Sequence, residues 1–239
     1  MTPVAPPLPD PAAPKERRAR SIQSFVRRAG RLTRAQERAL SELWPRFGIP
    51  GVPSDAPVAS VDLDALFGRQ APRVLEIGFG NGAALVSHAR DLPDTDFLGV
   101  EVHPPGVGHC LLAIERLGLG NVRLFMEDAV GVLRDRIPEG SLGGVHLFFP
   151  DPWHKKRHHK RRLVQPDFVA LLATRLAPGG YFHVATDWAP YAEHIAAVMA
   201  ASGLFLAEDP GGRPRSRTRF EARGERLGHP TWERVYVKA

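Results

Sequence analysis

The chain has 239 residues, with 32 basic and 26 acidic side chains and a formal net charge of +6, which suits one α/β domain with extensions or two small domains. It contains no apolar run of about 18 residues, and its start is rich in proline and arginine, so we expect a cytoplasmic protein without a membrane partner or a secretory signal. The single Cys110 excludes an internal disulfide.

Charge is distributed unevenly along the sequence. Residues 1–61 carry 10 basic and 5 acidic side chains, residues 62–150 carry 7 and 12, and residues 151–239 carry 15 and 9. An acidic central segment between two basic segments indicates a core whose function differs from that of its flanks, and the basic flanks are expected to bind phosphate groups. A merely Arg-rich composition is the alternative, but it does not explain why three of the five lysines fall between residues 155 and 160.

The N-terminal part divides into a start and an arm. Residues 1–14 hold six prolines and are predicted to be disordered. Residues 15–61 form a basic arm, a helix and a linker, and the arm either orders on RNA or packs as a surface helix. Thr33 and Gln36 match a capping box that opens a helix ending before Pro45, and three prolines mark residues 48–61 as the linker.

From residue 62 onward, apolar strands alternate with helices. The predicted strands cover residues 74–77, 97–100, 122–126, 145–149, 181–185, a short stretch near Phe205, and 235–237. The predicted helices cover residues 83–90, 107–117, 129–136, 168–176 and 192–201. This order predicts an α/β fold in which a doubly wound, mostly parallel, seven-stranded sheet of the Rossmann-like kind fills a domain over residues 62–239.

The first three predicted strands end in residues that suit a bound nucleotide. Glycine turns allow close approach of backbone to a ligand, and acidic residues at strand ends accept hydrogen bonds from ribose hydroxyls or an exocyclic amine. These candidate residues are Gly78, Gly80 and Gly82 after the first strand, Glu101 after the second and Asp128 after the third.

Two cofactors compete for this pattern. The turn also satisfies the permissive dinucleotide fingerprint, which would allow a nicotinamide cofactor. Glu76 stands directly before the turn, however, where it would repel a pyrophosphate and would pair with an ammonium. S-adenosylmethionine carries an amino-acid tail with such an ammonium, so the pattern favours this cofactor.

The fourth predicted strand leads into a Pro-Asp-Pro-Trp turn and a dense cationic block. Asp151 and Trp153 lie in the turn, and no acidic residue follows before Asp167. The block contains Lys155, Lys156, Arg157, Lys160, Arg161 and Arg162, with His154, His158 and His159 between them. A cationic surface next to a ligand pocket indicates a polyanion, and we interpret the histidines as RNA-facing donors rather than as metal ligands.

The sequence resembles the bacterial tRNA (guanine-N7-)-methyltransferase family, and the resemblance leaves out only the proline-rich start and the linker. It rests on the following segments: Arg20-Ser-Ile-Gln-Ser-Phe-Val-Arg-Arg28, Gly30-Arg-Leu-Thr33, Glu76-Ile-Gly-Phe-Gly-Asn-Gly82, Gly99-Val-Glu-Val-His-Pro104, Phe149-Pro-Asp-Pro-Trp-His-Lys-Lys-Arg-His-His-Lys-Arg-Arg162, Thr186-Asp-Trp188, Thr218-Arg-Phe-Glu221 and Arg226-Leu-Gly-His229. Arg219 departs from the family, which usually has Lys there, and a planar guanidinium does not replace a point charge equally.

The resemblance implies a class I methyltransferase fold that uses S-adenosylmethionine to methylate guanine N7 at position 46, in the variable loop of tRNA. By motif position, it implies that Glu76, Glu101, Asp128 and Asp151 are carboxylates on the cofactor side, with Asp151 also catalytic. It assigns Lys155, Asp187, Thr218, Arg219, Phe220 and Glu221 to the substrate, and Arg157, His158, His159, Lys160, Arg161 and Arg162 to RNA.

The chemistry of the base indicates what a catalytic carboxylate would do. Guanine N7 has an in-plane lone pair and no proton, so its methylation needs no general base. The base becomes cationic as the methyl arrives, and a carboxylate near it therefore stabilises the transition state more than the ground state. We expect Asp151 to orient the base and stabilise this charge, and Asp187 to accept from guanine N1 and its amino group.

Three other functions stay open from the residues alone. One is a non-enzymatic RNA-binding protein with a vestigial nucleotide fold, the second is a nicotinamide-dependent oxidoreductase, and the third is a methyltransferase acting on another nucleic acid. In each case, we expect no metal and either a monomer or a homodimer.

Overall fold

The computed structural model describes residues 24–25, 30–52, 59–212, 221 and 230–239. The predicted disordered start (1–14) and most of the basic arm lie outside this part of the chain. So do Thr218, Arg219 and Phe220, which the resemblance assigns to the substrate.

Helices and strands alternate through most of the described chain. The helices are α1 (Arg34–Glu42), α2 (Trp44–Phe47), α3 (Leu63–Phe67), α4 (Ala83–Asp91), α5 (Pro104–Leu117), α6 (Ala129–Asp135), α7 (Pro166–Arg175) and α8 (Ala189–Ser202). The strands are β1 (Arg73–Ile77), β2 (Asp96–Val100), β3 (Val122–Phe125), β4 (Leu142–Phe148), β5 (Leu176–Thr186), β6 (Phe205–Glu208) and β7 (Trp232–Lys238). Two 3₁₀ helices complete the list, the basic helix (Lys156–Arg161) and Pro210–Gly212.

The strands of the described chain form one seven-stranded sheet in the order β3-β2-β1-β4-β5-β7-β6. Strands β1 to β5 pair in parallel, whereas β7 pairs antiparallel with β5 and β6. This arrangement confirms the predicted doubly wound α/β fold. Because the chain moves outward in one direction from β1 and in the other from β4, the point where strand order reverses lies between these two strands, where such sheets bind ligands.

The sheet is covered with apolar side chains on both faces. Along β1, Val74 belongs to one buried cluster, and Leu75 and Ile77 belong to the other, as the alternation of side chains across a strand requires. Strand β2 is buried along its whole length. The central strands are therefore rigid supports for the residues at their carboxyl ends.

The N-terminal helix begins as predicted. The Thr33 hydroxyl accepts from the Gln36 backbone N–H, and the Gln36 side chain accepts from the Thr33 N–H, which confirms the capping box. Helix α1 ends at Glu42, before Pro45, and Pro45 lies in the first turn of the short helix α2, where a missing N–H is tolerated. The Gln36 side-chain amide donates to Pro105 O at 3.0 Å, so α1 is tied to α5.

Several predicted boundaries differ from the structure by a few residues, and at two of them the structure changes the interpretation of the segment. The beginning of the predicted linker is packed, because Ile49 is 3% exposed and its N–H donates to Leu124 O of β3 at 2.8 Å. Strand β5 begins at Leu176, five residues before the predicted start, and passes through a bulge in which Gly179 has φ of 70°. Pro178, Gly179 and Gly180 follow the end of helix α7, as expected, but in the structure they also belong to strand β5. No helix in the described residues is both long and apolar enough to cross a membrane.

Candidate active site

A cavity of about 560 Å³ opens at the carboxyl ends of β1, β2 and β4. Six of the seven predicted cofactor residues line it: Glu76, Gly78, Gly80, Glu101, Asp128 and Asp151. The exception is Gly82, which caps the N-terminus of α4. The sheet therefore brings residues that are 75 positions apart in the sequence into one cavity at its reversal point.

The glycine turn after β1 depends on backbone conformations that favour glycine. Gly78, Gly80 and Gly82 have φ of 69°, 58° and 79°, all in the left-handed region. A Cβ on Gly82 would also lie 2.4 Å from the Cys110 sulfur. Gly82 thus permits α5 to pack against the start of α4, while Gly78 and Gly80 form the cavity wall.

Glu101 fixes the shape of the turn. Its Oε2 accepts from the Gly80 N–H at 2.9 Å, and its Oε1 accepts from the N–H groups of Val102 and His103 at 2.7 and 3.0 Å. A carboxylate offers about four acceptor positions, so these three bonds leave room for one more. One ribose hydroxyl therefore fits Glu101 without breaking the turn.

Two acidic residues follow β3, and they differ in their contacts. Asp128 lines the cavity and caps α6, since its Oδ2 accepts from the Gly131 N–H at 3.2 Å. Glu127 also reaches the cavity wall and pairs with Arg136 at 3.0 Å. Arg136 thus holds Glu127, whereas Asp128 sits at the helix start, where its charge is favourable.

Glu76 is a buried carboxylate with little internal compensation. Its side chain is on β1, the residue is 3% exposed, and its Oε2 has no hydrogen-bond partner within the described chain. Burial raises the pKa of Glu76 above its ordinary value, and nearby His88, 3.8 Å away, offsets this only in part. A ligand with a cationic hydrogen-bond donor would remove this cost, so Glu76 fits the ammonium of S-adenosylmethionine.

Asp151 lies in a turn with unusual backbone geometry. Phe149 and Trp153, on either side of it, have φ of 52° and 49°. Large side chains rarely adopt such angles, and they mark local strain that the surroundings must hold in place. The Phe149 N–H donates to Ala185 O of β5 at 2.8 Å. Asp151 is exposed at the cavity mouth, where a second molecule can reach it.

The end of β5 lies beside this turn. Phe148 of β4 pairs with Ala185 of β5, so Asp187, the residue directly after β5, lies at the same edge of the sheet. The rings of His154 and Trp188 meet edge to face, with centroids 4.3 Å apart, and they join the two strand ends. Asp187 is half-buried.

Two residues of the basic arm form part of the cavity wall, which the sequence reasoning did not foresee. Ser24 and Phe25 line the cavity, Ser24 O accepts from the Trp153 indole N–H at 3.1 Å, and Phe25 O accepts from Arg161 at 3.0 Å. The Arg161 guanidinium also lies 3.8 Å from the centre of the Trp153 ring. The one sequence feature that could have indicated this role is an aromatic residue, Phe25, among the arginines of the arm.

The basic helix presents most of its charge to solvent. Lys155, Lys156, Arg157 and Lys160 are exposed, and His158 and His159 are half-buried. The pKa of His158 is lowered by partial desolvation and by the neighbouring cations, so His158 favours the neutral form. The charge of this surface therefore comes from its lysines and arginines.

Arg162 differs from its neighbours and from the expectation that it faces RNA. It is 3% exposed, donates to Pro152 O and Pro190 O at 3.0 and 3.2 Å, and stacks on Tyr191 at 4.9 Å. A phosphate cannot reach a guanidinium that is enclosed in this way. Arg162 instead ties the Asp151 turn to the start of α8.

The remaining predicted substrate residues are only partly described. Lys155 is exposed directly before the basic helix, and Glu221 is half-buried. Its neighbours Thr218, Arg219 and Phe220 lie outside the described residues, so their predicted contacts with substrate stay predictions.

Comparison with known proteins identifies relatives over almost the whole chain. The family model with the description "Putative methyltransferase" matches residues 70–234. A protein of Alkalilimnicola ehrlichii named tRNA (guanine-N(7)-)-methyltransferase is 55% identical over 92% of this chain and 93% of its own length. A protein of the same name from Methylococcus capsulatus is 52% identical over 92% and 95%.

Solved structures support the fold independently. The crystal structure of the 16S rRNA methyltransferase KamB matches with a TM-score of 0.52 and 16% identity, covering 74% of this chain and 92% of that one. At this identity the similarity concerns the fold alone, which is that of a class I methyltransferase.

Proposed function

The chain belongs to the tRNA (guanine-N(7)-)-methyltransferase family, and we propose that it transfers a methyl group from S-adenosylmethionine to guanine N7 of tRNA, at position 46 in the variable loop. The observation that carries this proposal is the cavity that holds Glu76 and Asp151 together, next to an exposed basic helix. This one cavity thus contains two carboxylates: Glu76 for a cationic cofactor, and Asp151 for a base that becomes cationic.

The cofactor side is supported by the chemistry of the cavity wall. Bound S-adenosylmethionine supplies an electrophilic methyl group on its sulfonium. Glu76 accepts from the ammonium, Glu101 accepts from a ribose hydroxyl at its remaining acceptor position, and Asp128 accepts from the adenine amino group. Gly78 and Gly80 let the backbone approach closely. These assignments agree with the burial of Glu76 and with the hydrogen bonds that Glu101 and Asp128 accept.

The acceptor side needs positioning and electrostatics rather than proton transfer. Asp151 orients the guanine edge and stabilises the positive charge that forms on the base. The hydrogen bonds that hold Phe149 and Trp153, on either side of Asp151, also fix the position of Asp151, which reduces reorganisation during the reaction. Asp187, at the end of the adjacent strand, accepts from the N1 and amino donors of guanine.

The tRNA is held by charge outside the cavity. Lys155, Arg157 and Lys160 are exposed beside the cavity mouth, and we assign them to phosphate contacts. His158 and His159 are half-buried on the same helix and add hydrogen-bond donors. The methyltransferase domain covers residues 62–239, and a monomer or a homodimer would present this surface.

The proposal is tested by incubating the protein with labelled S-adenosylmethionine and unmodified tRNA, followed by borohydride reduction and aniline cleavage. Cleavage at 7-methylguanosine in the variable loop is the expected result. Labelled tRNA that is cleaved at another position would refute the assignment to position 46, but not the methylation of guanine N7 in tRNA. Labelling of other RNAs but not of tRNA would favour a methyltransferase with a different substrate, and absence of transfer with retained tRNA binding would favour a non-enzymatic RNA-binding protein.

A further inference from the structure

The first turns of α5 lie against the outer side of the glycine turn, and none of the proposed roles uses this contact. A Cβ on Gly106 would overlap with the carbonyl oxygen of Gly80 and lie 3.1 Å from its carbonyl carbon. Gly106 is a helical residue whose φ is outside the left-handed region, so backbone freedom does not explain this glycine. Its lack of a side chain permits α5 to lie directly against the glycine turn.

Two further residues on the same face of α5 contact this turn. His109 and Cys110 follow Gly106 by three and four positions, a spacing that places side chains on one side of a helix. His109 Nδ1 donates to Asn81 O at 2.9 Å, since a carbonyl oxygen can only accept. The Cys110 side chain fills the space that a Cβ on Gly82 would need. Three consecutive positions of the turn therefore rest on α5.

The inner side of the turn faces the cofactor cavity. Gly80 and Asn81 line the cavity, and the Gly80 N–H donates to Glu101 Oε2 at 2.9 Å. Gly80 is thus held between Glu101 on the inside and Gly106 on the outside. Because glycine has the largest backbone freedom of any residue, a turn with three glycines does not select one conformation by itself. Contacts from both sides select it, and α5 supplies those on the outside.

Glu101 is also joined to the start of α5. Its Oε1 accepts from the N–H groups of Val102 and His103, and His103 is the residue directly before α5. A displacement of α5 would therefore move Glu101 together with the turn. The acceptor position that Glu101 keeps for a ribose hydroxyl depends on how closely α5 approaches Gly80.

We propose that Gly106 and His109 are positioning residues of the cofactor site, which hold the glycine turn in the conformation that places Glu101 against a ribose hydroxyl of S-adenosylmethionine. The inference rests on the proposed function, since it assumes that the cavity binds this cofactor. Neither residue lines the cavity, and both act through the backbone of Gly80 and Asn81. Their replacement should weaken cofactor binding without changing the rate of transfer at saturating cofactor.

A matched pair of glycine substitutions tests the inference. Gly108 lies in the same helix, and a Cβ there would lie 2.9 Å from Gln36 Cβ of α1. Gly106→Ala and Gly108→Ala therefore both crowd α5, but only the first crowds the cavity wall. Calorimetry with S-adenosylhomocysteine, the product of the proposed reaction, measures the effect. We expect Gly106→Ala to raise Kd by about tenfold, as the loss of one hydrogen bond to a charged group does, and Gly108→Ala to leave Kd unchanged.

His109 provides a second variant that does not threaten the fold, because its side chain is exposed. His109→Ala removes the donor to Asn81 O, and His109→Gln keeps a donor on the side chain. We expect His109→Ala to raise KM for S-adenosylmethionine by about two- to tenfold at an unchanged kcat, the range for a neutral hydrogen bond. His109→Gln should restore most of the loss, and neither variant should change Kd for tRNA in filter binding.

An analogue that lacks a ribose hydroxyl separates the positioning of Glu101 from a general loss of packing. In the unmodified protein, the 2′-deoxy or the 3′-deoxy form of S-adenosylhomocysteine should bind more weakly than the parent, because one of these hydroxyls donates to Glu101. In Gly106→Ala, where Glu101 is displaced, this difference should largely disappear, since the substitution and the hydroxyl act on one contact and their effects are not additive. In Gly108→Ala the difference should be kept in full.

Equal Kd values of folded Gly106→Ala and Gly108→Ala, or additive losses in the analogue experiment, would overturn the inference while leaving the proposed function intact. Equal affinity of all three ligands for the unmodified protein would refute the contact of Glu101 with ribose and the inference with it. An unchanged KM in His109→Ala would remove His109 from the proposal, and would overturn it if Gly106→Ala does not fold. Absence of S-adenosylhomocysteine binding by the unmodified protein would refute the proposed function instead.

Discussion

The turns after β1 and β4 lie side by side at the same edge of the sheet, and both use left-handed backbone conformations. After β1, the residues with positive φ are Gly78, Gly80 and Gly82, for which such angles carry little steric cost. After β4, they are Phe149 and Trp153, for which the cost is about 1–3 kcal/mol each. The backbone of the first turn carries little strain, whereas the strained backbone of the second depends on contacts from elsewhere in the chain.

Those contacts come from three directions. The Phe149 N–H is bound to β5, the Trp153 indole to Ser24 O, and Pro152 O to the guanidinium of Arg162. The difference between the turns matches their proposed tasks. A glycine turn adapts closely to a cofactor, and a braced turn holds one carboxylate, Asp151, where a large substrate must meet it.

The largest effect is expected at the braced turn. Asp151→Asn keeps the size of the side chain and removes its charge, so the developing charge on guanine loses its stabilising partner. We expect the rate of methyl transfer to fall by about 10²–10³-fold, with unchanged affinity for tRNA. Filter binding and single-turnover transfer on the same preparation measure both. Equal losses of rate and affinity would show that Asp151 binds tRNA rather than acting in the reaction.

A smaller effect tests how the braced turn is held. Arg162→Gln removes the charged donor of the Pro152 and Pro190 carbonyl groups and the burial of the Arg162 side chain, and we expect the free energy of unfolding to fall by about 1–3 kcal/mol. Lys160→Gln, two residues away on the exposed side, should change it by less than about 0.5 kcal/mol. Urea unfolding measures both. Similar values for the two variants would mean that Arg162 does not brace the turn.

The glycine turn is tested by a matched pair of substitutions. Gly80 and Gly118 have φ of 58° and 62°, and a Cβ on either would meet no atom within 4 Å. Gly80→Ala and Gly118→Ala should therefore each lower the free energy of unfolding by about 1–2 kcal/mol. Only Gly80 lines the cavity, so only Gly80→Ala should weaken S-adenosylhomocysteine binding, by about tenfold, or 1.4 kcal/mol. Equal affinities of the two variants would exclude close backbone contact at Gly80.

The smallest expected effect concerns the basic helix. Replacing Arg157 and Lys160 by Gln should reduce the slope of log Kd for tRNA against log salt concentration by about 0.7–0.9 per lost phosphate contact. Arg116→Gln is the control, since Arg116 is exposed near the end of α5, at the opposite edge of the sheet. A slope that is unchanged in the first variant, or reduced equally in the control, would contradict the assignment of this helix to phosphate.

The two turns also show what the sequence could and could not predict. Alternating strands and helices predicted the fold, and glycines and strand-end acids predicted the cavity, because both signals are local. The bracing of Asp151 could not be predicted, since Phe149 and Trp153 carry no sign of positive φ and their partners are far away in the sequence. Arg162 was assigned to RNA by charge alone, although burial decides its contacts, and His88 comes near Glu76 only when α4 packs against β1.

The central claim is that the cavity performs the reaction while the basic helix holds the tRNA. Its most direct test is single-turnover methyl transfer as a function of tRNA concentration, for Asp151→Asn and for the variant with Arg157 and Lys160 replaced by Gln. We predict that the first lowers the plateau rate at an unchanged half-saturating concentration, and that the second raises this concentration at an unchanged plateau. A lowered plateau in the second variant, at saturating tRNA, would contradict the division of roles.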